Sequence, residues 1–221
     1  MVEHGLNPEF HLPDDISDLD LKTSLPEGKT GIIILDAANN EIEKLKQRAE
    51  EAEKNSMIDS LTGCYSRNFF EKFKKENFNP NRDNGSLGLV FVDINNLKVA
   101  NDNQGHKAGD ELIKSVSIFL KSSFRKDDTV VRLGGDEFII ICRNRENDSN
   151  FKENLPCKVT KRLTEKLSLR EKNKKPEDLS LSMSFGVAVY EKDKDFSNLD
   201  KTKDRADALM YQHKKDSKAG R

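Results

Sequence analysis

The sequence predicts an α+β domain, an antiparallel or mixed sheet flanked by helices, with a helical stalk in front of it. Three observations carry this prediction. From about residue 59 onward β-forming runs alternate with helical stripes, a Gly-Gly pair joins two such runs as a hairpin, and the stretch before them is charged and helical in period.

Taken in order, residues 1–36 are polar, contain Pro8, Pro13 and Pro26, and read as an arm of unknown role. Within them Gly31–Leu35 reads as one short strand without an evident partner. Residues 37–57 contain neither Pro nor Gly and place Ile42, Leu45, Ala49 and Ala52 three or four apart. That is a helix with a narrow apolar seam, open both to pairing as a short coiled coil and to standing alone in solvent. The third segment, residues 58–221, holds the α+β pattern. After the turn "DSLTGCYSR" come a helix in "NFFEKFKKENF", an interior strand in "SLGLVFVDI" and a helix in "GDELIKSVSIFLKSSF". Two strands around the glycines follow, then a helix near "CKVTKRLTEKL", a strand in "LSLSMSFGVAVY" and a last helix in "KDRADALMYQHKKDS". "RNRENDSN" and "REKNKKPEDL" read as surface connections.

With 38 Lys and Arg against 39 Asp and Glu, the chain lacks the basic excess that nonspecific nucleic-acid binding requires. Cys64, Cys142 and Cys157 have no metal-ligand or disulfide spacing and read as packing residues of a reducing compartment. The first residues lack the apolar core of a secretory signal, and no run is long enough to span a bilayer, so a cytoplasmic protein is expected.

The chemistry is concentrated in "TVVRLGGDEFIIIC". Glycines at the hairpin tip supply positive φ and let a ligand approach the backbone. Asp136 and Glu137 follow at once. Alone they fit equally a soluble hairpin end, but Asp93 terminates the apolar run "LGLVFV" in a similar way. If the two strands are neighbours, Asp93 and Asp136 meet at one sheet edge, as carboxylates that share divalent metal ions do. "DINNLKVANDNQG" fails as a calcium loop, because Lys98 stands where glycine is required, and no P-loop is present.

"RLGGDEF", "VFVDINNLKVANDNQGHKAGDELI" and "DSLTGCYSRNFF" resemble the signatures of GGDEF-domain diguanylate cyclases over residues 59–218. The resemblance implies a palm-like fold shared with class III nucleotide cyclases. It also implies condensation of two GTP into cyclic di-GMP with release of pyrophosphate, a signal-transduction activity. By position it makes Asp93, Asp136 and the Ile94 carbonyl the ligands of two Mg²⁺, or of Mn²⁺ in their place. It makes Glu137 the assisting carboxylate and Lys98 a triphosphate contact, with Gly134 and Gly135 over the phosphates and Leu97, where the family has Phe, beside the nucleotide. Asn101 and Asp110 would read guanine, although Asp110 taken alone fits a helix cap as well. Lys214 and Lys218 would hold phosphates, Lys218 standing where the family has Arg. Asn95, Cys64, Ser66 and Ser217 are further departures, and none removes an implied ligand.

Arg125 and Asp128 match the family's R-x-x-D site, where product binds and inhibits. The activity implied is two-metal nucleotidyl transfer across a homodimer, with feedback inhibition. The alternative is a catalytically silent domain that binds cyclic di-GMP, and acceptance of ATP beside GTP is a third reading.

Overall fold

The computed structural model describes residues 27–144, 148–175 and 179–219. The chain divides into two compact units, Met1–Glu50 and Glu51–Arg221. Helix α1 (Glu27–Ser56) supplies the described part of the first unit and continues into the second. It takes in Ile32–Leu35, so the expected short strand is helical instead, and the helix begins ten residues earlier than its charged portion. The β-branched residues of that run disfavour a helix by only tenths of a kcal/mol each, about what the adjoining Leu, Glu and Lys residues offset. The side chains of Ile42 and Leu45, two members of the apolar seam, are about half exposed.

The second unit is built on one five-stranded sheet in the order β1-β3-β4-β2-β5. Its strands are β1 (Tyr65–Ser66), β2 (Leu87–Ile94), β3 (Thr129–Gly134), β4 (Glu137–Arg143) and β5 (Met183–Val189). β1 pairs parallel with β3, and every other pairing is antiparallel. The middle of β2 is buried on both faces, which explains its unbroken apolar run.

Alternation along β2 divides its side chains between two cores. Val90, Val92 and Ile94 meet α4 (His106–Ser123) through Leu112, Val116 and Leu120, and α5 (Phe151–Asn173) through Val159 and Leu163. Leu87, Leu89 and Phe91 meet α2 (Arg67–Lys72) and the π-helical turn after it through Phe70 and Phe73. On that same side lies α7 (Leu199–Ala219), through Leu199, Ala206 and Met210. Two short helices, α3 (Leu97–Gln104) and α6 (Lys192–Asp195), complete the unit.

Each helix and strand predicted after residue 58 is present, with shifted ends. α5 extends through Asn173 and absorbs the first residues of a lysine-rich stretch expected to be a loop. Cys64 and Cys142 are buried packing residues, as expected, whereas Cys157 faces solvent on α5. Among the described residues, no helix is long and apolar enough to cross a membrane.

α7 reaches the functional end of the sheet because β5 gives it a flat seat. A Cβ placed on Gly186 would lie 2.2 Å from the Ala206 carbonyl oxygen and 2.3 Å from the Met210 nitrogen, both backbone atoms that cannot swing aside. Gly186→Ala is therefore expected to destabilise the chain by about 2–3 kcal/mol, read as a lower urea midpoint at unchanged slope.

Candidate functional site

β2 and β4 run antiparallel in a register that sets Asp93 opposite Glu137. One residue further on, the Ile94 N–H donates to the Asp136 carbonyl at 3.0 Å, so the ladder continues to the hairpin tip. The two-residue connection between β3 and β4 is Gly135-Asp136, since Gly134 still pairs with Glu137 as the last residue of β3. Gly134 and Gly135 take φ of +138° and +54°, values open to glycine and strained for other residues. The expected convergence of Asp93 with the Asp136-Glu137 pair at one sheet edge is thus a property of strand pairing.

This edge offers oxygen donors, with Ile94 and Asp136 lining one cavity of about 280 Å³. Among the described residues no group of three or more His, Cys, Asp and Glu side chains is placed to hold a metal. Two carboxylates and a backbone carbonyl fit Mg²⁺, which binds hard oxygens and leaves several positions to water and phosphate.

Burial pushes the Glu137 carboxyl up, and the charges of Asp136, Asp207 and Asp93 push it further, against the pull of Arg67. A half-buried carboxylate among like charges holds its proton more readily than one in water.

The tip is braced from outside by groups that the sequence reading did not assign. Arg132 donates through Nε and Nη2 to the Gly135 carbonyl, at 3.2 and 2.9 Å, while its Nη1 lies 3.2 Å from both Asp59 oxygens. Asp59 also accepts from the Thr62 N–H and hydroxyl. Burial alone would raise the Asp59 carboxyl, but the Thr62 hydroxyl, Arg132 and the Thr62 amide outweigh it and hold the group below its ordinary value. From the other side Arg67 Nε donates to the Leu133 carbonyl at 2.7 Å. Both arginines and Asp59 lie inside the quoted motifs. Their signal was position beside the glycines, and it carried no indication that they hold carbonyls of the tip rather than a ligand.

The cavity beside the carboxylates is also lined by Asn95, Leu97, Lys98, Lys214 and Ser217. α3 begins immediately after Asn96, whose left-handed backbone (φ +64°) turns the chain out of β2 and brings Leu97 and Lys98 back over the edge. Lys214, near the end of α7, donates to Asp93 Oδ1 at 2.5 Å. Asn95 is tied to the start of β5, its amide donating to Ser182 Oγ just before the strand and its carbonyl oxygen accepting from Ser184 Oγ within it, each at 3.1 Å. These bonds account for an amide where the resemblance expects a carboxylate.

A second cavity of about 330 Å³ shares Asn95, Asn96, Val99 and Ser182 and extends to Asn103, Gln104 and Leu179. Asn101 and Asp110 line neither cavity. The Asn101 carboxamide occupies the space that a side chain at Gly109 would fill, which draws α3 against α4 and places it next to Asp110. Because α4 already begins at His106, Asp110 is not its cap, and that reading is set aside. The side chain of Lys218 lies outside the described residues.

Arg125 and Asp128 form a tight turn just before β3: the Arg125 N–H donates to Asp128 Oδ2, and the Asp128 N–H to the Arg125 carbonyl, both at 3.0 Å. They line a small cavity of about 50 Å³ with Arg143, Lys158 and Arg162. Those three cations come from β4 and α5, so sequence proximity gave no sign of them.

Comparison with known proteins points to one family. The family described as "Diguanylate cyclase, GGDEF domain" matches residues 56–219. Diguanylate cyclase VdcA of Vibrio cholerae is 32% identical over 182 residues, which are 81% of this chain and 50% of that protein. The chain thus spans half the length of that relative. The solved coiled coil and GGDEF domain of DgcB from Caulobacter crescentus, in complex with c-di-GMP, has a TM-score of 0.61 at 23% identity, covering 83% of this chain and 93% of that one. A microbial GGDEF domain solved with cyclic di-GMP has a TM-score of 0.53 at 28% identity, covering 72% of this chain and 93% of that one.

Two expectations follow from the electrostatics. Asp59→Ala should destabilise the chain by about 1–3 kcal/mol at neutral pH, because it leaves Arg132 without its partner. Since the Asp59 carboxyl is held low, this difference should shrink as pH falls through its folded value, which chemical denaturation at several pH values would reveal. Glu137→Gln should do the opposite and raise the melting temperature by about 2–4 °C at pH 7, a gain that disappears in acid where Glu137 is itself protonated.

Proposed function

The chain belongs to the GGDEF-domain family of diguanylate cyclases, and on that premise we propose that it condenses two GTP into cyclic di-GMP, with pyrophosphate as the leaving group. The observation that carries the proposal is one sheet edge: Asp136, Lys98 and Lys214 line a cavity there, Lys214 is bonded to Asp93, and Asp93 lies opposite Glu137. Acidic oxygens for metal and cations for phosphate are the two requirements of nucleotidyl transfer, and both are met at one sheet edge.

Two Mg²⁺ bound by Asp93, Asp136 and the Ile94 carbonyl would supply charge stabilisation at the attacking and leaving oxygens. The chain's own groups do the rest. Lys98 and Lys214 hold the triphosphate, and the bare Gly134-Gly135 backbone lets its oxygens approach closely. Glu137, whose carboxyl is pushed up by burial and by its acidic neighbours, is a stronger base than a carboxylate in water and is suited to accept the proton of the attacking 3′-hydroxyl. Asp110 and Asn101 read the guanine edge, whose N1–H and N2–H₂ a carboxylate can accept and adenine does not offer.

One protomer holds one nucleotide, so the two halves of the product come from two protomers facing each other across a two-fold axis. The half-exposed Ile42 and Leu45 of α1 supply an apolar seam for bringing two copies together. Arg125 and Asp128 bind the product's guanine, through bidentate contacts of the guanidinium to O6 and N7, and slow the enzyme as product accumulates.

The decisive assay incubates the purified chain with GTP and Mg²⁺ and follows cyclic di-GMP and pyrophosphate by mass spectrometry. Asp93→Ala is expected to reduce product at least about a hundredfold. Arg125→Ala should keep the initial rate while its progress curve stays straight where that of the parent bends over. A parent chain that is dimeric, binds cyclic di-GMP and makes none is a receptor, and the cyclase reading falls.

A further inference from the structure

We infer that Lys214 occupies the place of a cation on Asp93 and thereby makes the site select a metal–nucleotide complex over the free metal ion. The inference deepens the proposed metal-dependent reaction and rests on it. Lys214 Nζ lies 2.5 Å from Asp93 Oδ1, a charge-assisted bond between residues 121 positions apart. The two side chains are only 27% and 13% exposed, so water screens the pair less than it screens an ion pair on an open surface.

The ammonium holds one oxygen of Asp93, and a divalent ion on either oxygen of that carboxylate would stand close beside it. An ammonium and a metal ion on one carboxylate repel each other strongly in a half-buried site where water screens them little. A free divalent ion must therefore displace Lys214 and leave it with water as its only new partner. A metal ion that arrives with a triphosphate brings its own acceptors: as the metal takes Asp93, the ammonium transfers to phosphate oxygens in the same cavity, which it lines with Lys98. The exchange conserves the charge balance only when both ligands enter together. Lysine suits it, because a point charge on a flexible four-carbon stem can change partners without moving the backbone of α7.

Electron paramagnetic resonance of Mn²⁺ tests the inference on the full chain, first without nucleotide. Lys214→Met, which keeps the length of the stem and removes the charge, should bind Mn²⁺ about three- to tenfold more tightly than the parent, the fold-change that corresponds to a partly shielded ion pair. Lys214→Arg, which keeps the charge, should stay close to the parent. With a non-hydrolysable GTP analogue present the order should reverse, and Lys214→Met should hold the Mn²⁺–analogue complex more weakly. Equal or weaker Mn²⁺ binding by Lys214→Met in the absence of nucleotide overturns the inference. Asp93→Asn separates this failure from that of the underlying reading: if it binds Mn²⁺ as the parent does, the metal site is elsewhere and both fall. If it loses the ion while Lys214→Met gains nothing, the inference alone falls.

Discussion

The site depends on the antiparallel register between β2 and β4. Side chains along a strand alternate between faces, so a slip by one residue would turn Asp93 away from the edge it shares with Asp136 and Glu137 and would expose the Val90 and Val92 face to the wrong core. The register is held by burial more than by the acidic residues themselves. β2 packs on both faces and β4 carries Phe138, Ile139 and Ile140 fully buried, so the apolar lock lies directly behind the carboxylates. The core thus fixes the chemistry, and the residues that pay for it electrostatically have no freedom to separate.

That confinement has a cost, visible in Glu137, which burial and the neighbouring Asp136 hold toward its protonated form. The fold offsets the repulsion with fixed cations and dipoles around the carboxylates. Arg67 faces Glu137, Lys214 neutralises Asp93, and Arg132 grips the Gly135 carbonyl while it is itself oriented by Asp59. The last arrangement links the turn after α1 to the hairpin tip through a single guanidinium. A carboxylate edge of this kind is useful only in a rigid frame, because relaxation would let the charges part and lose the ligand geometry.

How much of this was legible beforehand follows from the range of each interaction. The hairpin was readable because a turn of matching twist needs glycine, a strictly local requirement, and β2 because an unbroken run of six residues without a polar side chain, Leu87–Val92, has few other fates. The Ile32–Leu35 run misled for the same reason: without a period of its own it takes the state of its flanks, and those are helical. The pairing of β2 with β4 could be posed only as a condition, since no local pattern states which strands are neighbours. Arg143, Lys158 and Arg162 were invisible, for they join Arg125 and Asp128 only when β4 and α5 fold against the start of β3. Asn95 looked like a defect in a motif, and its meaning appears only with Ser182 and Ser184 beside it.

The distance between the two candidate ligand sites constrains how one can act on the other. Asp128 immediately precedes β3, and Gly134 ends it, so the strand's full length separates the Arg125–Asp128 cavity from the hairpin tip. At a rise of about 3.3 Å per residue that is about 20 Å, more than the reach of a nucleotide's base and sugar. On the proposed assignment, a ligand in the small cavity would therefore not displace substrate from the same protomer. Nor is there an evident route through the sheet, because the intervening strand is packed on both sides by buried residues with little room to shift. In the reaction proposed above, shared between two half-sites, the adjustable quantity is then the approach of two protomers. On that proposal, control from the far end of β3 would need no change at the carboxylate edge: it would need only to hold two domains in an arrangement where their edges do not meet.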